Sequence, residues 1–574
     1  VRWEGSLYAE ETGTYEFIIK TENGARLWVN DPKTNLIDGW VSSGPDVREM
    51  KKSVYLLGGR AYPLRVEWFK FKEKTASLQL LWKPPHGTTE LIPQSVLAPD
   101  RLREVFVAKT AFPADDRSAG YERGTSVSKE WDAATTEAAI DAAEHVQDHI
   151  DELAGTKQAA ADRLDKLKNF SKILVETAFR RPLTPELQER YIDRQFKDAK
   201  SPEVAVKRVV LLTLKSPRFL YPEIPHEGAP DQFEIAARLA LGLWDSIPDK
   251  QLAQAAAQGQ LKTPAQISQQ ANRMLGDLRT KAKMRGFFHH WLELERAESV
   301  QKDPKAFPGF DQQTLADLRK SLLSFVDQVV WSEKSDYREL LKADYLLLNE
   351  RLGKLYGKPV TGGDFQRVQF DPNQRAGVVT HPYLLAAFAS AKETSPIHRG
   401  VFLTRTIVGM TLKPPPQAVA FEDAKFDAHL TMREKITELT KNVSCMGCHG
   451  TINPLGFSLE NYDAIGRWRT KDKEKTINAA SDFSTDEGQT VHLTGARDLV
   501  KFAADNPGGH RAFIHQLFQH EAKQPVFVYG PDALEDLRLA FTKSGYSVRK
   551  LLGEIAVIYA SRGLPEANPN VAQN

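Results

Sequence analysis

The chain reads as multidomain, with an N-terminal all-β sandwich followed by a mainly α-helical body. Three observations predict this. Residues 1–100 hold short, aromatic-rich runs in which apolar and polar side chains alternate between turn signals. From residue 161 onward apolar residues recur instead at three- and four-residue steps. A length of 574 residues exceeds what one core supports, so several domains are expected.

In residues 1–100 the runs 15–19, 25–29, 64–68 and 78–82 predict strands. Glu22-Asn23-Gly24, Asp38-Gly39 and Gly58-Gly59 predict the turns between them, the pattern of a sandwich. Residues 101–160 are charged and Ala-rich, and read as a connector with one exposed helix over 131–153. Residues 161–228 form a helical domain in which Leu164, Leu167, Phe170, Leu174 and Ala178 share one face. Pro182 stops that helix, Thr184-Pro185-Glu186 opens the next, and a third ends near Ser216-Pro217. Residues 229–390 form a second helical domain, with Asp231, Thr263 and Asp311 as N-caps. Its cluster Phe287-Phe288-His289-His290-Trp291 reads as core rather than as a cofactor contact. Residues 391–480 open a helix at Thr394-Ser395-Pro396, close it at an extended Pro414-Pro415-Pro416, and form another helix from Thr431 to Lys441.

The only two cysteines of the chain stand in that segment, as Cys445-Met446-Gly447-Cys448-His449. C-x-x-C-H is the attachment pattern of a c-type haem: two thiols add across the vinyl groups and the adjacent imidazole becomes the proximal ligand. Zinc would need a second ligand pair close by, and His515 and His520 are far downstream. A redox pair of the thioredoxin kind would need a βαβ setting. A lone disulfide in so small a ring removes little chain entropy. The segment 391–480 therefore reads as a cytochrome c-like haem segment carrying one covalent haem c, with residues 481–574 a C-terminal helical domain packing near it.

Further site expectations follow. Residues 452–457 read as a turn around Pro454 that is placed to supply a backbone carbonyl to the second nitrogen of His449, with Leu455 and Phe457 walling the porphyrin. Arg467, Trp468 and Arg469 stand at a distance suited to the propionates, or else form a solvated face. No methionine follows Met446, which leaves Met410, Met432, His492, His510, His515, His520 or nothing for the sixth position. His520 is the preferred metal ligand beside His449, on a helix over 511–523. Six-coordinate iron moves electrons, whereas five-coordinate iron binds small ligands and catalyses.

The formal net charge of +2 points to neither nucleic acid nor an anionic membrane surface. No run approaches eighteen apolar residues, so no transmembrane segment is predicted. P-loop, GxSxG, HExxH, EF-hand and GxGxxG patterns are absent from the sequence. The chain opens in strand-like sequence with neither an initiator Met nor a signal peptide, so upstream residues are expected. Haem is attached to such motifs outside the bacterial cytoplasm, which predicts an extracytoplasmic location, periplasmic or cell envelope.

Two resemblances add to this reading. The order GTYEFIIKTENGARLWVND, IDGW, LLGGRAYPLRVEW, LLWKPP and LIPQSVL resembles the anthrax protective-antigen-type domain. Such domains are often attached to carbohydrate-active or adhesive proteins, which implies a polysaccharide ligand. Some members hold calcium on adjacent aspartates. Here the loop offers Asn30-Asp31, with Asp38 and Asp46 further on, so the paired aspartates are missing.

From about residue 160 the stretches FRRPLTPEL, LKSPRFLYPE, IAARLALGLWDSIPD, RGFFHHWLEL, WSEKSDYRELLKADYLLLN, TSPIHRGVFL and SCMGCHGTINPLGFSLENYDAIGRWR resemble the planctomycete-type multidomain cytochromes. The resemblance implies haem on Cys445, Cys448 and His449, and places Pro454, Gly456 and Asp463 in the haem loop. Electron transfer with a redox partner protein, coupled to polysaccharide binding or oxidation, is the function expected first. A haem-dependent oxidase or peroxidase and a cell-envelope binding or scaffold protein are the alternatives.

Overall fold

The computed structural model describes the chain except residues 43, 45, 73, 117–127, 222–229, 413–425, 428 and 562–574, and the side chain of residue 298. The triple proline at 414–416 lies outside the described residues.

Nine strands build the N-terminal sandwich: β1 Arg2–Ala9, β2 Gly13–Thr21, β3 Gly24–Val29, β4 Ile37–Gly39, β5 Arg48–Leu56, β6 Arg60–Phe69, β7 Gln79–Lys83, β8 Glu90–Leu91 and β9 Leu97–Ala98. One sheet has the order β4-β3-β6-β1-β9 and the other β5-β2-β7-β8. The period-2 pattern does its expected work in β2, where Tyr15, Phe17 and Ile19 point into the core with Leu7, Leu27, Tyr62 and Trp82. The rings of Tyr15 and Trp82 lie 5.1 Å apart. Asp38-Gly39 is not the turn expected of it but the end of β4, because Asp38 faces Arg26 across the ladder and pairs with it at 2.9 Å.

The principal helices of the body are α1 Lys129–Asp148, α2 Arg163–Phe179, α3 Pro202–Leu214, α4 Gln232–Trp244, α5 Leu278–Trp291, α6 Gln312–Val330, α7 Pro396–Phe402, α8 Met432–Thr440, α9 Val443–Phe457, α10 Ala496–Asp505, α11 Pro507–Ala522 and α12 Val548–Ser561. Side chains of Asp231, Thr263, Asp311 and Ser395 accept backbone N–H groups at the helix starts the sequence predicts. The helix expected to be an exposed connector, α1, instead packs on α3: Ala143 is buried with Leu167, Val206 and Val210. Its alanines make a flat face that lets a neighbouring helix approach, a property that charge content hides. From Ile235 to Ala560 one continuous apolar core runs through the body, so segments 229–390, 391–480 and 481–574 share it. Phe287, Phe288 and Trp291 lie in that core.

The sandwich is docked on α5 and α6 by partly buried ion pairs. Arg319 donates to both oxygens of Glu11 at 2.7 and 2.8 Å, and Arg285 bridges Glu10 and Asp327. His289 sits in the same seam, its ring 4.5 Å from that of His86, with Glu295 at 3.6 Å and its Nε2 lacking a hydrogen bond. Burial pushes His289 down to about 4 from its ordinary 6.5. The fold therefore holds a neutral ring where the unfolded chain takes up a proton. Stability is expected to fall as pH drops from 6.5 to 4, by up to about 3 kcal/mol. Thermal melts across that window check this, and His289→Gln is expected to flatten the profile.

Candidate haem attachment site

Two helices carry the motif. A capping box opens α8: Thr431 accepts the Glu434 N–H, and the Glu434 carboxylate accepts the Thr431 N–H at 2.7 Å. Asn442 caps α9, accepting the Ser444 N–H. At 3.6 residues per turn, positions 445, 448 and 449 fall on one face of α9. The two thiols are free and half-buried.

The expected turn at 452–457 is instead the second half of α9, with Pro454 inside the helix. Packing overrides the cost of the missing N–H. Helix α7 crosses α9 backbone to backbone: a Cβ on Gly456 would stand 2.0 Å from the Pro396 carbonyl oxygen, and one on Gly400 would stand 2.1 Å from that of Ile452. The Pro454 carbonyl accepts the Ser481 hydroxyl at 3.0 Å and is not the partner of His449.

That partner is Asn453, which sequence reasoning missed. His449 Nδ1 lies 2.9 Å from Asn453 Oδ1, Asn453 Nδ2 donates to Thr440 Oγ1 at 2.8 Å, and the Thr440 hydroxyl donates to the Ile436 carbonyl at 2.8 Å. This chain assigns the imidazole tautomer. The Thr440 proton is spent on a carbonyl, so Thr440 accepts from the Asn453 amide. The remaining Asn453 atom is therefore an acceptor, and His449 Nδ1 carries the hydrogen. In the neutral ring this tautomer leaves the lone pair on Nε2. The signal available was an Asn four residues after the histidine on a helix.

The other expected residues are placed elsewhere. Leu455 is fully buried in the main core, and Phe457 is buried with Met432, Ile436 and Ile397 beneath the Arg433 guanidinium. Neither has surface left to wall a porphyrin. Arg467 pairs with Asp463 at 2.8 Å and lies over Phe307, and Trp468 packs edge-on against Tyr462. These contacts brace the loop 460–469 and do not support a propionate role. His520 is a further correction. Its ring is buried against α5, 5.6 Å from Phe287, and its Nε2 bonds the Lys283 carbonyl. The neighbours of α9 are α7, the following turn Leu403–Val408, α8 and the strand Ser481–Ser484, and His520 is on none of them. His510 bonds the Ala504 carbonyl, His492 bonds Asp482, and Met432 is buried. Met410 and His515 line one cavity of about 920 Å³, and His515 Nε2 is buried there without a hydrogen bond.

The residues present fit a covalent haem. Beside the thiols, Val443 is 87% and Met446 45% exposed, an apolar margin that a porphyrin would cover. A Cβ on Gly447 or Gly450 would meet nothing within 4 Å, so there is open space along the motif. Cys445 and Cys448 would hold the group and His449 Nε2 would ligate its iron. Among the described residues no three His, Cys, Asp or Glu side chains converge as a metal site. In the sandwich, the Asn30 amide is spent on both backbone groups of Val105, and Asp31 accepts the Lys33 and Thr34 N–H groups.

Asn453→Leu removes the acceptor for Nδ1–H and the donor for Thr440. Thioether attachment is expected to survive it. In the haem-loaded chain the midpoint potential should rise, because a ring that no longer donates from Nδ1 is a weaker electron donor to iron, and the fold should lose about 1–3 kcal/mol. A midpoint potential and stability identical to those of the unmodified protein would show that Asn453 does not hold the ring.

Three family models match the chain. Residues 1–95 match the PA14 domain, residues 231–357 match PSD4 (protein of unknown function, DUF1592), and residues 375–472 match PSCyt3 (protein of unknown function, DUF1588). The latter two are domains associated with planctomycete-type cytochromes c, and the first is a β-sandwich, so the multidomain layout is consistent with that of such proteins. A curated relative, the anti-sigma-I factor RsgI3 of Acetivibrio thermocellus, is 34% identical over 99 residues, 17% of this chain. The chain spans 15% of that relative's length. A solved anti-sigma factor domain-containing protein is 30% identical over 17% of this chain and 33% of its own, with a TM-score of 0.16. No described helix is long and apolar enough to cross a membrane.

Proposed function

We propose that this protein is an extracytoplasmic monohaem c-type cytochrome acting in electron transfer with a redox partner protein. Haem c would be held by Cys445 and Cys448, with His449 as the proximal ligand. The observation that carries the reading is the bond from His449 Nδ1–H to Asn453, which orients the ring and leaves Nε2 for iron. The bound group supplies one-electron iron chemistry. The chain's own part is to hold the imidazole still, so that little rearrangement accompanies a change of charge on the iron. The match of residues 1–95 supports a carbohydrate role for the sandwich, and polysaccharide binding would bring the electron source to the same molecule.

The test is production of the chain with haem-attachment machinery. One haem should stay on the denatured protein, and the Cys445→Ser, Cys448→Ser double variant should retain none. Failure of the unmodified chain to keep haem would end the proposal. The reduced spectrum with carbon monoxide then separates two chemistries. An unchanged Soret band supports electron transfer, with His515 and Met410 the next positions to vary. A shifted band favours an oxidase or peroxidase, which the open space beside Gly447 and Gly450 would serve.

A further inference from the structure

Two stretches with no part in the haem segment meet at one cavity. Phe179-Arg180-Arg181-Pro182 ends α2, and Ser216-Pro217-Arg218-Phe219-Leu220-Tyr221 follows α3. Both line a cavity of about 400 Å³, together with Arg190 and Phe233. That volume lies within the range of small-ligand sites.

Four guanidinium groups face this space, and they are unevenly compensated. Arg181 pairs with Asp231 at 3.1 Å and with Glu234 at 3.9 Å. Arg180 instead donates to two neutral carbonyls, Ala178 at 3.0 Å and Arg218 at 2.7 Å. Among the described residues, no carboxylate forms an ion pair with Arg180, Arg190 or Arg218. Glu234 also lines the cavity and answers Arg181, which leaves the other three guanidinium groups as an excess of positive charge that an entering anion would offset. A concave wall focuses the positive potential, and the guanidinium fork matches the oxygens of a carboxylate, sulfate or phosphate.

The backbone gives a second, independent observation. Arg180 stands at φ 59° and ψ 22°, the left-handed conformation that closes a helix and that glycine normally takes. An arginine kept there despite the strain points to a use for its side chain. That side chain reaches the Arg218 carbonyl and so locks the two stretches together. The cavity is thus organised before any ligand arrives. Tyr221 and Phe233 add an apolar wall beside the charges.

We propose that this cavity binds an oxyanion group (sulfate, phosphate or carboxylate) on a ligand the size of a sugar unit or smaller. The site is separate from the haem segment and does not rest on the proposed electron transfer. Its source is either a free inorganic anion or an anionic sugar, which share the chemistry the arginines recognise.

Isothermal titration of the full chain at low ionic strength tests this with four probes: inorganic sulfate, inorganic phosphate, glucuronate and glucose 6-sulfate. Unsubstituted glucose is the neutral control. At least one oxyanion probe is expected to saturate at a single site, and added sodium chloride should weaken it. Arg190→Gln with Arg218→Gln removes two exposed, unpaired charges. This variant should keep its melting temperature and bind at least about tenfold more weakly, the weight of a charge-assisted hydrogen bond. Arg190→Gln alone gives a second, milder variant with an intermediate loss. Tighter binding of the sugar derivatives than of the inorganic anions assigns an anionic sugar, and the reverse assigns a free anion. The proposal is overturned if every probe fails to saturate below about 10 mM, or if the double variant binds as tightly as the unmodified chain.

Discussion

Gly456→Ala is expected to cost the protein most of its folded, soluble population. The added methyl group would lie 2.0 Å from the carbonyl oxygen of Pro396, and that obstacle is backbone, which has no rotamer to change. Relief requires α7 and α9 to separate, and their crossing is reciprocal, because Gly400 meets the Ile452 carbonyl in the same way. Overpacking of a fixed contact costs about 3 kcal/mol or more, against a total stability of about 5–15 kcal/mol. Urea titration and soluble yield measure the loss, and haem incorporation should fall in parallel because α9 carries the motif. Gly447→Ala is the matched control. It lies on the same helix, has nothing within 4 Å, and should be neutral or slightly stabilising. Equal melting temperatures for the two variants would mean that the helices do not cross as described.

Arg399→Met should be almost as damaging. The Arg399 side chain is buried and donates to four carbonyls: Leu459 and Tyr462 at 3.1 Å, Asp463 at 2.9 Å and Leu385 at 3.3 Å. Glu460, also buried, lies 4.0 Å away. Burial draws the guanidinium down to about 10, which still leaves it charged at neutral pH. Methionine fills much of the volume but leaves the carbonyls unpaired and Glu460 with Arg469 as its remaining salt-bridge partner. A loss of about 3–5 kcal/mol is expected. Adding Glu460→Gln should recover part of it, since it removes a buried carboxylate that has lost one of its two cations. A loss below about 1 kcal/mol in denaturant would show that Arg399 does not hold this loop.

These two sites also mark where sequence reading stops. Signals that act over a few residues were legible: the alternation in β2, the capping side chains of Asp231, Thr263 and Asp311, and the Cys-Met-Gly-Cys-His pattern itself. Each depends on neighbours within one turn or one strand. Asp38-Gly39 has the composition of a turn, yet its pairing with Arg26 makes it a strand. Pro454 has the chemistry of a helix breaker, yet the seat on α7 keeps it in α9. His520 and His515 share one helix with His520 the preferred ligand, yet the neighbouring α5 occupies His520 Nε2.

By itself the sequence determined the division into a β-rich start and a helical body, and it singled out residues 445–449 as the candidate haem attachment site, because periodicity and covalent spacing are local properties. The tertiary structure decided the rest: that Asn453 rather than a Pro454 carbonyl holds His449, that Leu455 and Phe457 belong to the core, and that two arginine stretches share one cavity. Those outcomes depend on which backbone groups and which faces meet across long separations in the chain. Hydrogen-bond partners and burial are set by that meeting, and no short stretch of residues encodes it.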